Sequence, residues 1–185
     1  IINISSVGGA VPDISQIAYG TSKAAINYLT KLIAVHEAGH AVLTHALLPE
    51  HTLTRVTVLP SSKGAAGYSL SIQPDRLLYT KQELLCHMAV ALGGRAAEEM
   101  MFGKENVSNG AGSDLEKAEE MAAQMVKWHM AEEKDAQEGK HSLMKKAYEI
   151  AKSVLEERRG RVEKMAQALM EKETLNEGEI LSFVA

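Results

Sequence analysis

The HEAGH pentapeptide at residues 36–40 lies inside a long helical pattern that runs from about residue 18 to residue 48, where a proline follows. Residues four apart share one face of a helix, so the imidazoles of His36 and His40 can reach one tetrahedral zinc ion. Glu37 is one position further along, where its carboxylate can reach a metal-bound water and act as a general base. The pattern therefore predicts a zinc-binding helix that carries a catalytic glutamate.

The alternative is a pair of surface histidines on an amphipathic helix, because the same five-residue pattern also occurs by chance. Small or apolar residues surround the motif, namely Ala38, Gly39, Ala41 and Val42. Such neighbours are typical of a helix that is packed inside a domain. They favour the metal-binding interpretation.

A catalytic zinc ion needs a third protein ligand and an open coordination position. Glu98 and Glu99 lie on a later predicted helix, and Asp114 lies in the first turn of the helix after that, behind a Gly-rich loop. Each residue also has a structural explanation. Acidic residues favour helix N-termini, and a helical glutamate can be solvated or can hydrogen-bond to a ligand histidine. Spacing alone leaves the third ligand open among the three.

Composition limits the class of protein. The 185 residues include 45% hydrophobic but only 4% aromatic residues, and nine are methionine, which predicts one compact domain, with or without an appendage, and an aliphatic core. The net charge of −4 argues against a general nucleic-acid binder. A single cysteine, Cys86, excludes an intrachain disulfide and suits a reducing compartment. No apolar run reaches the roughly 18 residues of a membrane span, so we expect a soluble, cytoplasmic form.

The hydrophobic periodicity predicts a mainly α fold with a small β hairpin. The runs 53–59 and 67–72 form the hairpin, and the second run is a possible edge strand to which an extended peptide could pair, as opposed to an ordinary hairpin strand. Further helices are predicted at 80–103, from a capping box at Ser113 onward, and at 142–172.

From about residue 35 to residue 185, the chain resembles the peptidase domain of the FtsH-type AAA zinc metalloproteases. The matching segments are HEAGHAV, KGAAGYSL, TKQELLCHMAVALGGRAAEEMMFG, NGAGSDLEKAEEMAAQMV and LMEKETLNEGEI. The motifs LGGRAAEE and GAGSDL, taken together, are more specific for this family than the HEAGH pentapeptide. The resemblance implies a helical zincin-like peptidase domain.

The resemblance also implies the site. Asp114 would be the third zinc ligand, and Glu98 or Glu99 would support a ligand histidine without touching the metal. The cofactor would be Zn²⁺, and the activity would be internal cleavage of unfolded polypeptides, with a possible homohexamer as the assembly. The alternative is a zinc-binding structural or assembly domain without catalysis.

Three departures from that family limit the comparison. The family couples the peptidase to an AAA ATPase and is usually membrane-anchored, whereas these 185 residues contain no G-x-x-x-x-G-K-[ST] phosphate loop and no apolar membrane segment. Residues 131–141 replace a longer segment of the family, which bears on hexamer contacts and substrate access. The third departure is the beginning of the chain.

Residues 1–34 resemble a strand-loop-helix fragment of a short-chain dehydrogenase/reductase. Ser6, Tyr19 and Lys23 stand where that family has its catalytic serine, tyrosine and lysine. The fragment lacks the Gly-rich turn and the neighbouring strands that hold a nicotinamide cofactor. We therefore expect no cofactor-binding site here. Residues 1–34 are interpreted as a relic joined to a peptidase domain at 35–185, and an NAD(P)-dependent oxidoreductase is the weaker alternative.

Overall fold

The computed structural model describes residues 17–61, 66–133 and 135–185. This part of the chain is mainly α, as the periodicity predicted, with seven α-helices and three β-strands. In chain order the elements are α1 (Ile17–Leu47), β1 (Thr52–Thr57), β2 (Tyr68–Ile72), α2 (Lys81–Ala91), α3 (Gly93–Phe102), α4 (Gly112–Lys127), α5 (Ala136–Glu157), α6 (Arg159–Lys172), β3 (Thr174–Asn176) and α7 (Glu177–Val184). Two short 3-10 turns, Lys104–Asn106 and Asn109–Ala111, connect α3 to α4.

The three strands form one antiparallel sheet in the order β2-β1-β3. The predicted hairpin is confirmed, with Thr57 opposite Tyr68 at its closed end. The third strand was missed because three residues are too few to show an alternating pattern. The Thr57 hydroxyl hydrogen-bonds to the Thr174 hydroxyl at 2.7 Å, which joins β1 to β3. In β2 the apolar side chains of Leu70 and Ile72 are exposed.

Helix α1 is confirmed over nearly its full predicted length and forms the centre of the core. It packs against α3, α6 and the sheet. Gly39 allows the closest approach, since a methyl group there would lie 2.6 Å from the Gly93 carbonyl oxygen and 2.5 Å from Ala97 Cβ. The small residues around the pentapeptide therefore serve close helix packing, and they bury the motif.

The predicted helix at 80–103 is divided at Leu92. Thr80 caps its N-terminus with a reciprocal bond to Glu83, but the backbone at Leu92 has φ −81° and ψ −2°, which ends α2 and turns the chain into α3. The two glycines that follow, Gly93 and Gly94, are weak helix formers and pack directly against α1. This contact redirects the chain, and helical periodicity alone does not reveal it.

The predicted capping box at Ser113 is wrong. Helix α4 begins at Gly112, Ala111 occupies the N-cap position, and no side chain caps the helix. The 3-10 turn Asn109–Ala111 leads directly into α4, so Ser113 is already inside the first turn. Asp114 keeps its predicted place in that first turn.

Helix α1 passes through the expected boundary between residues 34 and 35 without a break. Ser6 and the strand expected at residues 1–4 lie outside the described residues. Tyr19 and Lys23 lie near the start of α1, where the Lys23 ammonium stands 5.3 Å from the centre of the Tyr19 ring. Among the described helices, none combines the length and the apolar character needed to cross a bilayer.

Candidate metal centre

Helices α1 and α4 bring His36, His40 and Asp114 together. The Nε2 atoms of the two histidines are 3.1 Å apart, and Asp114 Oδ2 lies 3.3 Å from each of them. All three side chains are buried or half-buried. The other oxygen of Asp114 accepts a bond from Lys117 Nζ at 3.0 Å, which leaves Oδ2 directed at the histidines. Among the described residues, this is the one cluster of three or more His, Cys, Asp or Glu side chains that could hold a metal ion.

The hydrogen bonds behind the two rings fix their chemical form. His36 Nδ1 lies 2.7 Å from Glu98 Oε1, and His40 Nδ1 lies 2.8 Å from the Val90 carbonyl oxygen. Both partners can only accept, so each Nδ1 carries a proton, and in a neutral imidazole Nε2 then presents a lone pair. When both imidazoles are neutral, two such lone pairs and a carboxylate oxygen converge on one point. This donor set fits a divalent cation, and His, His and Asp are ligands typical of zinc.

The groups around His36 favour a positive charge on its ring. Burial lowers the pKa of His36, but the hydrogen bonds to Asp114 and Glu98 and the charges of Glu37 and Glu98 outweigh it and raise that pKa to about 9. Burial opposes ionisation of Asp114, yet the bonds from His36 and His40 hold the pKa of this carboxyl far below its usual range. The cluster is thus arranged to hold positive charge.

Glu98 supports His36 from behind. It is 1% exposed, and besides the imidazole its carboxylate accepts the Ser108 N–H at 2.6 Å and the Ser108 hydroxyl at 3.0 Å. Burial raises the pKa of Glu98, but these bonds outweigh it and lower the pKa overall, so the group stays ionised. The role of Ser108 was not predicted, because a serine in a polar loop gives no sequence signal.

Glu99 points elsewhere, since successive helical residues are turned about 100° from each other. It accepts bonds from the Tyr148 hydroxyl at 2.6 Å and from Lys152 Nζ at 2.8 Å, which link α3 to α5. Of the two glutamates left open by the sequence, the geometry places Glu98 against a histidine.

Glu37 lies beside the histidines and is 7% exposed. Burial raises its pKa, while the nearby His40 and His36 and a hydrogen bond from Ser69 oppose that change. The Ser69 hydroxyl is 3.0 Å from Glu37 Oε2. This contact between β2 and the motif was also not predicted from the sequence.

Tyr19 and Lys23 do not join this cluster. Lys23 lies thirteen residues before His36 on the same helix, which corresponds to about 20 Å along its axis. Tyr19 is further away and 47% exposed.

Comparison with known proteins agrees with the geometry. A family model described as Peptidase family M41 matches residues 27–141. The match begins at residue 27, before the predicted domain boundary, and ends at residue 141, inside α5. Because it does not begin at residue 35, the domain boundary there stays a prediction.

Individual relatives extend the similarity beyond the residues that the family model matches. The chain is 39% identical over 168 residues to "ATP-dependent zinc metalloprotease FtsH 1" of Alkaliphilus metalliredigens, covering 81% of this chain and 28% of the relative. It is 32% identical over 182 residues to an "ATP-dependent zinc metalloprotease FtsH" of Rhodothermus marinus, covering 83% and 26%. A protein of that name from Lachnoclostridium phytofermentans is 47% identical over 90 residues, covering 49% and 16%. The chain thus spans less than a third of the length of these curated relatives.

Proposed function

Because the chain belongs to peptidase family M41, we propose that it is a zinc-dependent endopeptidase domain that cleaves unfolded polypeptides. The observation that carries this proposal is the convergence of both Nε2 atoms and Asp114 Oδ2 on one point, with the Glu37 carboxylate buried alongside. Structural zinc sites are usually closed by four protein ligands, whereas three protein ligands leave a position for water, as catalytic sites require.

In this proposal His36, His40 and Asp114 hold the zinc ion. A bound zinc ion would lower the pKa of a water molecule and polarise the carbonyl of the scissile peptide bond. Glu37 accepts the proton of the attacking water and then returns it to the departing amide nitrogen. Glu98 keeps the Nδ1 proton of His36 in place, so that Nε2 remains a ligand.

The sheet supports the choice of unfolded polypeptide as the substrate class. Strand β2 lies at one edge of the described sheet and pairs with β1 along its other side. An extended peptide can add to such an edge through backbone hydrogen bonds, with little dependence on sequence. Ser69 of β2 contacts Glu37, so a chain paired to this edge lies near the cluster. A folded protein has few free backbone groups to pair in this way.

An ATPase partner and a homohexamer belong to the same proposal. The names of these relatives describe them as ATP-dependent, and the chain spans less than a third of their length. We propose that an AAA ATPase module, on this polypeptide or another, unfolds substrates and delivers them. Intact folded proteins then resist the peptidase domain alone.

The test is cleavage of casein, an unfolded protein, by the zinc-loaded chain, with and without chelator and beside the Glu37→Gln variant. We expect fragments from the zinc-loaded chain only. Absence of cleavage by a folded, zinc-loaded chain would favour the non-catalytic zinc-binding domain instead. Cleavage that persists in Glu37→Gln or with chelator would contradict the proposed mechanism.

A further inference from the structure

Strand β2 contacts the proposed general base through one hydroxyl. Ser69 Oγ lies 3.0 Å from Glu37 Oε2 and 3.1 Å from the Glu37 carbonyl oxygen. Both of these atoms are acceptors, so the hydroxyl donates to Glu37 in either case. A hydrogen bond to a buried carboxylate is stronger than one between neutral groups.

The same strand also holds the stem of the Glu37 side chain. Gly67, which directly precedes β2, is buried so tightly that a methyl group there would lie 3.1 Å from Glu37 Cγ and 2.7 Å from both Ile33 Cγ2 and the Thr57 carbonyl oxygen. The start of β2 therefore fits against Glu37 at two points, its Cγ and its Oε2. These contacts restrict the rotation of the Glu37 side chain.

The geometry points to Ser69 as a positioning residue for Glu37. By donating to Oε2 it holds the carboxylate in one orientation and leaves the other oxygen, Oε1, available to accept the proton of the attacking water. The role of Ser69 rests on the proposed function of Glu37. With Ser69 in this role, strand β2, to which we propose that the substrate pairs, also orients the general base Glu37.

Three variants test this role by steady-state cleavage of an unfolded substrate. Ser69→Ala removes the hydroxyl, Ser69→Thr keeps it, and Ser71→Ala removes a hydroxyl two residues further along β2 and serves as the matched control. We expect kcat to fall about tenfold in Ser69→Ala with little change in KM, because a charge-assisted bond that orients the base is lost. We expect the kcat of Ser69→Thr and of Ser71→Ala to stay close to that of the original chain, and the zinc content to be the same in all three variants.

A double-mutant cycle makes the test specific for Glu37. Because Glu37→Gln is expected not to cleave, the cycle is measured as the affinity of the zinc-loaded chain for a peptide hydroxamate, which binds zinc without turnover. In a Glu37→Gln background, Ser69→Ala should lower that affinity no further, since the carboxylate that it orients is already gone. Independent, multiplicative losses would overturn the positioning role, and so would an unchanged kcat in Ser69→Ala.

A binding measurement separates this inference from the proposed function. A peptide hydroxamate binds zinc and gives its acidic proton to a neighbouring carboxylate, so its affinity reports the orientation of Glu37 without turnover. We expect about tenfold weaker binding to zinc-loaded Ser69→Ala and unchanged binding to Ser71→Ala. If the original chain fails to cleave casein, the proposed function fails, while this difference still decides the role of Ser69. Equal affinities in the two variants would overturn it.

Discussion

Gly94 of α3 lies directly against the imidazole of His36. A methyl group at Gly94 would stand 2.3 Å from Cε1 and from Nε2 of the ring. His36 is itself held from behind by Glu98 at 2.7 Å, so the ring cannot retreat without losing that bond. We therefore expect Gly94→Ala to displace His36 and to abolish stoichiometric zinc binding, as measured by metal analysis of the purified protein.

The control for Gly94→Ala is Gly160→Ala. A methyl group at Gly160, near the start of α6, would meet no atom within 4 Å, and alanine favours the helix by about 1 kcal/mol. This variant should keep its zinc and melt at the same or a higher temperature. A Gly94→Ala protein with full zinc content would contradict the packing argument.

Glu98 and Glu99 are adjacent in sequence but should differ in their effects. Glu98→Gln replaces one carboxylate oxygen by an amide NH₂. This NH₂ must lie either near the Ser108 N–H, which donates to Oε2 at 2.6 Å in the original chain, or near the His36 Nδ1 proton. Either arrangement sets one donor against another. We expect zinc affinity to fall about 10- to 100-fold, measured by competition with a chromophoric chelator.

Glu99→Gln is the matched comparison. It weakens the bonds to Lys152 and Tyr148 that join α3 to α5, so the free energy of unfolding should fall by about 1 kcal/mol while zinc affinity stays the same. If Glu99→Gln lost zinc and Glu98→Gln kept it, the assignment of the two residues would have to be exchanged.

Asp114→Ala should reduce zinc affinity more than Glu98→Gln, by more than about 100-fold, because it removes an atom that would bind the metal directly. Glu116→Ala, on the same helix and exposed, is the control and should bind zinc normally. Metal analysis and chelator competition measure both. Unchanged zinc content in Asp114→Ala would contradict Asp114 as the third ligand.

The stability of the metal-free chain should decrease at high pH. The pKa of His36 is about 9 in the folded, metal-free chain and about 6.5 when unfolded, so the folded state binds more protons between these values. The resulting stabilisation is fully present below about pH 6.5 and is lost as the pH rises through about 9. Urea unfolding between pH 6 and pH 10 in the presence of chelator should show this fall.

Two comparisons identify the source of that pH dependence. Zinc-loaded protein should not show the fall, because both Nε2 atoms are then unprotonated throughout the range. A His36→Gln variant without metal should not show it either. A metal-free chain whose stability rises from pH 7 to pH 9 would contradict a raised pKa for His36.

Local geometry explains which parts of the site were predictable. The spacing of His36 and His40 places two rings on one helical face wherever that helix forms, and Glu37 follows from the same motif. The hairpin was predictable as well, because alternation and turn residues are encoded within about twenty residues.

Tertiary packing decided what the spacing had left open. Asp114 and Glu98 are 78 and 62 residues from His36, and both carry the carboxylate that a zinc site needs. The division of the chain at Leu92, together with the close contact of Gly39 and Gly93, directs α3 so that Glu98 reaches Nδ1 from behind. The turns after α3 then bring Asp114 to Nε2.

The sequence by itself determined that a helix presents two histidines and a glutamate, and its motifs indicated the family. Only the tertiary structure decided which acid meets which ring nitrogen and that the hydroxyls of Ser69 and Ser108 hold the carboxylates of Glu37 and Glu98. The physical reason is the separation along the chain over which each interaction acts. Helical periodicity and capping act over a few residues, whereas these contacts depend on how closely separate elements pack, which side-chain volume at positions such as Gly94 controls.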